Sequence, residues 1–236
     1  VMQYNRAKCT ACGLCAQLCP TEARKQFGQD YTVDELFRRI YQDRFYFEHS
    51  GGGVTFSGGE TLMQPRFLHA IAKKCREYHI NVAIETCGCG DYDSFAPCLD
   101  YIDFIYFDIK HMDNGMHEEI TGQPNAAILE NLKRISAHGN EICVRTPVVP
   151  GWNDSKENIR DTAQFISTLP SVRRYELLAY HKLGINKYKI LGKEYPLPDV
   201  EEPGTDHMLH LVETANEILI PAGKKCFYNI DNSADE

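Results

Sequence analysis

No run of apolar residues in this chain approaches the ~20 that a membrane-spanning helix needs. No charged-then-apolar stretch has the pattern of a secretory signal. A surplus of positive charge is missing as well. Thirty-three acids stand against 25 Lys and Arg, a net charge of −8, which argues against a nucleic-acid-binding domain, whose footprint is basic. Low complexity is absent too. With 43% hydrophobic and 25% charged residues over 236 positions, the composition is that of one large globular domain or two unequal ones. Ten cysteines are too few for a disulfide scaffold, which runs above about 8–10% of a short chain. Their uneven spread is what carries information.

Four of them, Cys9, Cys12, Cys15 and Cys19, are followed by Pro20 in the spacing C-x2-C-x2-C-x3-C-P, the bacterial ferredoxin run for a [4Fe–4S] cluster. Two-residue gaps let a tight loop turn three thiolates towards one cluster face. Gly13 relaxes the backbone there, and neighbouring N–H groups can point at the sulfurs. Zinc would more often take two ligand pairs with a longer gap between them. In two-cluster ferredoxins the fourth cysteine ligates the other cluster, so either Cys19 completes one cluster or a sister motif lies upstream of Val1. The other six, Cys75, Cys87, Cys89, Cys98, Cys143 and Cys226, have no ligand spacing and read as buried small hydrophobes, with Cys87 the candidate exception.

The body alternates strand and helix signals. Thr32-Val33-Asp34-Glu35 is a capping box, followed by Leu36, Phe37, Ile40 and Tyr41 at helical spacing. Pro65 opens a second helix with Phe67, Leu68, Ile71, Ala72 and Cys75 on one face. Further helices are expected from about Asn125 to Ala137, from Asp154 with Glu157 three residues on, and through Met208, Leu211, Val212, Ala215, Ile218 and Leu219. Strands are expected at Val54–Phe56, Val82–Ile84, Phe104–Phe107, Ile142–Val144, Tyr175–Leu178 and Cys226–Tyr228. They read as continuous apolar runs, as when both sheet faces are covered. Such alternation means βαβ units and a parallel α/β sheet. Five or six units fit a barrel or partial barrel better than a sandwich, and a doubly wound sheet stays open.

In such barrels chemistry sits at the C-terminal ends of strands. Five successive ends here are Ser57-Gly58-Gly59-Glu60, Glu85-Thr86-Cys87-Gly88, Asp108-Ile109-Lys110, Arg145 to Gly151, and Ala179-Tyr180-His181. Each alone has a plain reading: a turn, a solvated first-turn acid, an ordinary Asp108–Lys110 ion pair, a loop histidine. Together they place acids, cations and exposed backbone on one rim, which suits a zwitterionic ligand with an amino acid part.

With these residues assembled, the chain resembles the activating enzymes of glycyl radical enzymes, in the radical S-adenosylmethionine superfamily. The resemblance runs from about Val1 to Gly192. It is carried by Ser50 to Glu60, Glu85-Thr86-Cys87-Gly88, Asp108-Ile109-Lys110-His111-Met112, Thr121-Gly122, Pro147 to Asp154 and Leu177 to Gly184. It implies a partial (β/α)6 TIM-like barrel lacking its first unit, residues 31–236, with a ferredoxin-like [4Fe–4S] segment at residues 1–30. It implies that Gly58, Gly59 and Glu60 hold the amino group of S-adenosylmethionine. Asp108, Ile109 and Lys110 would lie beside them, with Lys110 facing the carboxylate. His181 would lie against the adenosyl part and Val148 on the adenine side. Glu85, Thr86 and Asp108 fall where the family places a monovalent cation. The implied reaction is reductive cleavage of S-adenosylmethionine to a 5′-deoxyadenosyl radical that takes hydrogen from a glycine of the partner enzyme. A flavodoxin- or ferredoxin-type protein would donate the electron, in an anaerobic cytoplasm where cysteines stay reduced.

One departure is large. The family's C-x3-C-x2-C loop, which holds the catalytic cluster, occurs nowhere in the 236 residues, and it is expected on a segment ahead of Val1. Smaller departures are Thr61, where the family has Pro, and Ala179, where it again has Pro. The alternatives are another radical S-adenosylmethionine enzyme, or a non-catalytic ferredoxin-type electron-transfer protein.

Overall fold

The computed structural model describes residues 5–26 and 28–228. The outer ends of both expected domain ranges, 1–4 and 229–236, lie outside the described residues. A 3-10 turn at Arg6–Lys8, a single helical turn at Leu14–Gln17 and two longer helices, α1 (Val33–Gln42) and α2 (Arg44–Ser50), precede the sheet. The chain then runs β1 (Gly53–Phe56), α3 (Pro65–Glu77), β2 (Asn81–Thr86), β3 (Phe104–Asp108), α4 (Asn114–Thr121), α5 (Ala126–His138), β4 (Glu141–Val148), α6 (Lys156–Ser167), β5 (Val172–Ala179), α7 (Ile185–Leu191), α8 (Thr205–Leu219) and β6 (Lys225–Tyr228). Helical turns at Tyr92–Phe95 and Ala96–Tyr101 join β2 to β3.

All neighbouring strands are parallel, and their spatial order is their chain order, β1 to β6. A doubly wound sheet reverses its order at a switch point. Among the described residues there is none, so these six strands are not doubly wound. β1 and β6 are the two edges.

Local chemistry sets the helix starts. Thr32 Oγ1 accepts from Glu35 N–H at 3.3 Å while the Glu35 carboxylate accepts from Thr32 N–H at 2.9 Å, the reciprocal capping box of α1. Pro65 stands in the first turn of α3, where its missing N–H is not needed. The expected start of α6 at Asp154 is corrected. Ser155 is the cap, its hydroxyl accepting from Asn158 N–H at 3.1 Å. Asp154 is drawn away by Gly151 N–H at 2.8 Å and by His207 Nε2 of α8 at 3.1 Å.

The expectation that both faces of the strands are covered is also corrected. Strand side chains alternate sides, and only one set is sealed: Val82, Ile84, Ile105, Phe107, Ile142, Val144, Tyr175 and Leu177 are fully buried in one cluster with Leu68, Ile71, Leu132, Ile135, Ile159, Ile166, Leu211 and Leu219 of the helices. Most of the alternate set, including Glu85, Phe104, Tyr106, Asp108, Arg145 and Arg174, is half-exposed, while Cys143 and Glu176 of the same set are buried. The sheet therefore has a helix-covered face and an open one. Among the described residues no helix is long and apolar enough to cross a membrane.

Candidate active site on the open sheet face

Register sets the open-face side chains in rows. Glu85 lies beside Tyr106, Tyr106 beside Cys143 and Cys143 beside Arg174. One step towards the C-terminal rim, Asp108 lies beside Arg145 and Arg145 beside Glu176. Arg145 is the hub. Its Nε donates to Glu176 at 2.7 Å, its Nη1 to Glu85 at 3.0 Å, and its guanidinium sits 3.5 Å from the centre of the Tyr106 ring. Burial works against the Arg145 charge, and Glu176 and Glu85 outweigh it, raising its pKa. The Ser57 hydroxyl reaches Glu85 at 2.5 Å, so one ionic chain crosses from the end of β1 to β5.

The rim itself is tied by short bonds. Glu60 is neither a solvated acid nor an open ligand group. It accepts from Leu62 N–H at 2.9 Å, the Thr86 hydroxyl at 2.6 Å, Cys87 N–H at 2.8 Å and the Cys87 thiol at 3.0 Å, and so locks the β1 end to the β2 end. Thr61, one of the departures, bonds into the same junction by donating towards Phe56 O and Glu85 O at 3.2 and 3.1 Å. What this turn leaves for a ligand is backbone. Gly58 holds φ at +140°, open to glycine and rarely to other residues, and space lies free where a Cβ would stand on Gly58 or Gly59. A 3-10 turn, Thr61–Met63, separates these glycines from α3.

Lys110 Nζ and Asp108 Oδ2 pair at 2.6 Å, both about 30% exposed. Ile109 and Val148 are buried, and the Thr146 hydroxyl donates to Ile109 O at 2.8 Å. His181 is exposed, its Nδ1 accepting from Leu183 N–H at 3.4 Å. Glu85, Thr86 and Asp108 each already hold a protein partner, Arg145 with Ser57, Glu60, and Lys110 respectively. Among the described residues no three His, Cys, Asp or Glu side chains are gathered for a metal ion.

Sequence reasoning missed the residue that fixes this rim. Asn153 is 2% exposed. Its amide donates to Lys110 O and Pro147 O, both at 2.8 Å, and its Oδ1 accepts from Val149 N–H at 2.7 Å. Asn158 extends the network, donating to Asn153 O at 2.9 Å and accepting from Met112 N–H at 2.9 Å. Asn153 lies within the Pro147 to Asp154 run that carried the resemblance, but its local signal was only an asparagine two positions after Pro150-Gly151, a common loop composition.

The N-terminal cysteines form a separate site. Cys9, Cys12 and Cys15 line a hollow of about 760 Å³ with residues 22–26 and with Ile190 and Leu191 of α7. Gly13 takes φ +76° and caps a single helical turn, Leu14–Gln17. Ala11 N–H points at Cys9 Sγ at 3.3 Å. The Thr21 hydroxyl, 3.6 Å from Cys19 Sγ, and the backbone N–H of Arg24 hold that thiol below its ordinary range. Of the other six cysteines, Cys75, Cys98, Cys143 and Cys226 are buried as expected, while Cys87 and Cys89 are half-buried. Burial, and then Glu60, push the Cys87 thiol up to about 12. Metal-free protein at pH 8 should therefore be alkylated by iodoacetamide at Cys9, Cys12 and Cys15 well before Cys87, with Cys75, Cys98, Cys143 and Cys226 unmodified. Peptide mapping by mass spectrometry checks this, and early labelling of Cys87 would contradict its pairing with Glu60.

Both sites fit in chemical kind what the resemblance implies. The hollow is lined by three thiols, with the Cys19 thiol outside its lining, and an N–H points at the Cys9 sulfur, groups of the kind an iron–sulfur cluster needs. It is a loose cradle rather than a closed cage. The rim offers cations, carboxylates and approachable backbone to a zwitterion. The three thiolates of a C-x3-C-x2-C loop are not in this chain.

A family model described as the Radical SAM superfamily matches residues 7–166. The chain is 41% identical over 202 residues to an isethionate sulfite-lyase activating enzyme of Oleidesulfovibrio alaskensis, covering 84% of this chain and 65% of that protein, so it spans about two thirds of that relative's length. It is 40% identical to a pyruvate formate-lyase-activating enzyme of Clostridium pasteurianum, covering 88% of both. The crystal structure of a domain of pyruvate-formate lyase-activating enzyme from Bacteroides vulgatus superposes with a TM-score of 0.62 at 27% identity, over 76% of this chain and all of that one.

Proposed function

The chain belongs to the radical SAM superfamily, and from that premise we propose that it serves to activate a glycyl radical enzyme. The observation that carries the reading is the open sheet face, where four parallel strand ends bring Gly58-Gly59, Glu85, Asp108, Lys110 and Arg145 to one rim. The superfamily uses a [4Fe–4S] cluster and S-adenosylmethionine. Bound together, these supply a carbon-centred radical able to take hydrogen from a partner's glycine.

The residues of this chain bind and orient. The backbone at Gly58 and Gly59 receives the amino group of S-adenosylmethionine, in a turn that Glu60 keeps rigid. Lys110 faces the carboxylate, held in place by Asp108 and by the bond from Asn153 to its own carbonyl. His181 lies towards the adenosyl part, and Val148 shapes the adenine side from beneath the rim. Glu85, Thr86 and Asp108 would hold a monovalent cation only after exchanging present partners.

The finer architecture belongs to the same proposal: a partial barrel that one further strand–helix unit completes at β1. Two features support it, the unpaired β1 edge, which natural proteins usually cover, and a hollow of about 390 Å³ lined by Leu36, Phe56, Gly58, Phe67, Leu68 and Ile71 among others. Cys9, Cys12, Cys15 and Cys19 would hold the ferredoxin-type cluster. An anaerobic cytoplasm suits ten cysteines with no disulfide among them.

Two experiments test this reading. Anaerobic reconstitution of the chain should bind about four irons, and Cys12→Ser with Cys15→Ser should abolish this; tightly bound zinc in their place would refute the cluster. The protein carrying a C-x3-C-x2-C segment ahead of Val1, reduced with S-adenosylmethionine and a glycyl radical enzyme, should give the glycyl doublet in EPR. Cleavage of S-adenosylmethionine without that doublet would favour another radical SAM activity.

A further inference from the structure

One polar residue interrupts the apolar face of α5. Ile128, Leu132 and Ile135 are buried in the core, and Asn131 is buried on the same side of the helix. Asparagine is a poor helix former, and a buried amide costs free energy unless its bonds are made. They are made to the loop that follows β2. The Asn131 amide donates to Gly88 O at 2.8 Å and to Gly90 O at 3.0 Å. Gly88 takes φ +71°, and a Cβ there would meet Phe107 Cζ at 2.2 Å, so the loop lies directly on the core. From Gly88 the bonds continue to the rim. Gly88 N–H donates to Thr86 Oγ1 at 2.8 Å, and the Thr86 hydroxyl donates to Glu60 Oε1 at 2.6 Å. A threonine hydroxyl has one proton, so the N–H arriving at its oxygen helps to turn that proton towards Glu60. Cys87 N–H holds the other Glu60 oxygen at 2.8 Å. One bonded path thus runs from the helix layer, through Asn131, Gly88, Thr86 and Glu60, to the turn that carries Gly58 and Gly59.

We propose that Asn131 is a positioning residue of the S-adenosylmethionine site, acting on the amino-group subsite through Gly88, Thr86 and Glu60. The inference rests on the reading of Gly58 and Gly59 as the receivers of that amino group, and deepens it. Strand pairing fixes the backbone of Thr86, which lies beside Phe107 in the sheet. It fixes neither the rotation of the Thr86 hydroxyl nor the loop beyond it. Glycine resists backbone rotation least, and the Asn131 amide clamps Gly88 by its carbonyl and Gly90 by another. Without the clamp Gly88 N–H swings, Thr86 loses the bond that orients its proton, and Glu60 is held less firmly. The Gly58-Gly59 carbonyls then spread over more positions, which weakens a bond to an ammonium group. Lys110, His181 and Val148 stand outside this path. The loss is therefore confined to the amino end of the ligand.

The test compares two ligands by equilibrium dialysis of the reconstituted protein: S-adenosylmethionine and its deamino analogue, in which hydrogen replaces the amino group. The wild type should prefer S-adenosylmethionine by about tenfold or more. Asn131→Ala should weaken S-adenosylmethionine about fivefold and leave the analogue within about twofold, so the preference narrows. Asn140→Ala is the matched control. Asn140 is also buried and bridges two carbonyls, Leu99 O at 2.9 Å and Ile102 O at 2.8 Å, but at the opposite ends of the strands. It should lower the melting temperature as Asn131→Ala does and leave the preference unchanged. Thr86→Val cuts the path at its next link and keeps the test alive should Asn131→Ala fail to fold. It should narrow the preference too, and adding Asn131→Ala to it should cost no more than about twofold further. A wild-type preference that survives Asn131→Ala, or that survives Thr86→Val, overturns the inference alone, as does equal weakening of both ligands. A wild type that binds the two ligands alike refutes the amino-group reading of the rim, and this inference with it.

Discussion

Replacing Arg145 with methionine should lower the free energy of unfolding by about 3 kcal/mol, the order expected when a partly buried ion pair loses one partner. Methionine keeps most of the stem that packs on Tyr106 and removes only the charge and its donors. Glu176, 9% exposed, and Glu85, which reach Arg145 from β5 and β2, are then left without the cation that joins them. Neutralising the second partner should recover part of the loss. Arg145→Met with Glu176→Gln is expected to be more stable than Arg145→Met alone, although Glu176→Gln by itself destabilises. Urea unfolding of the four proteins measures the cycle. If Arg145→Met proves neutral, the ionic chain from Ser57 to Glu176 does not hold the open face together.

A loss of similar size is expected at Asn153. Truncation to alanine removes three bonds from a buried side chain and strands Lys110 O, Pro147 O and Val149 N–H. At about 1 kcal/mol per bond, with desolvation of the stranded groups added, roughly 3 kcal/mol is expected. Asn153→Asp is the sharper probe. It keeps an acceptor for Val149 N–H but sets a carboxylate against two carbonyls, so it should destabilise at least as much as alanine does. An aspartate variant as stable as the wild type would mean that the amide is not donating as described. The function of this network is positional, since the carbonyl it holds belongs to Lys110.

What was legible in the sequence was mostly what short-range chemistry decides. The capping box at Thr32 and Glu35, proline at the head of α3 and the six strand cores all depend on neighbours within a few positions, and the structure has them. The choice of cap for α6 depended on distant partners. Asp154 and Ser155 are both good caps, and His207, 53 positions away, together with Gly151 claims the aspartate. The open face was misread for a chemical reason. Tyr106, Phe104 and Cys143 count as apolar, so Phe104–Phe107 and Ile142–Val144 look like continuous runs, although alternate members lie on the ionic side. Glu60 was legible as a site residue, but not its engagement by Thr86 and Cys87, which lie 26 and 27 positions on. Helix α7 was missed because lysines interrupt its apolar positions.

The most direct test of the account is the affinity of the reconstituted protein for S-adenosylmethionine, measured by equilibrium dialysis for wild type, Lys110→Met and the surface control Lys156→Met. Lys110→Met should weaken binding about tenfold or more, the loss expected for a charge-assisted bond to a carboxylate, while Lys156→Met should match the wild type. Equal affinity in all three proteins would contradict the assignment of the open face as the S-adenosylmethionine site.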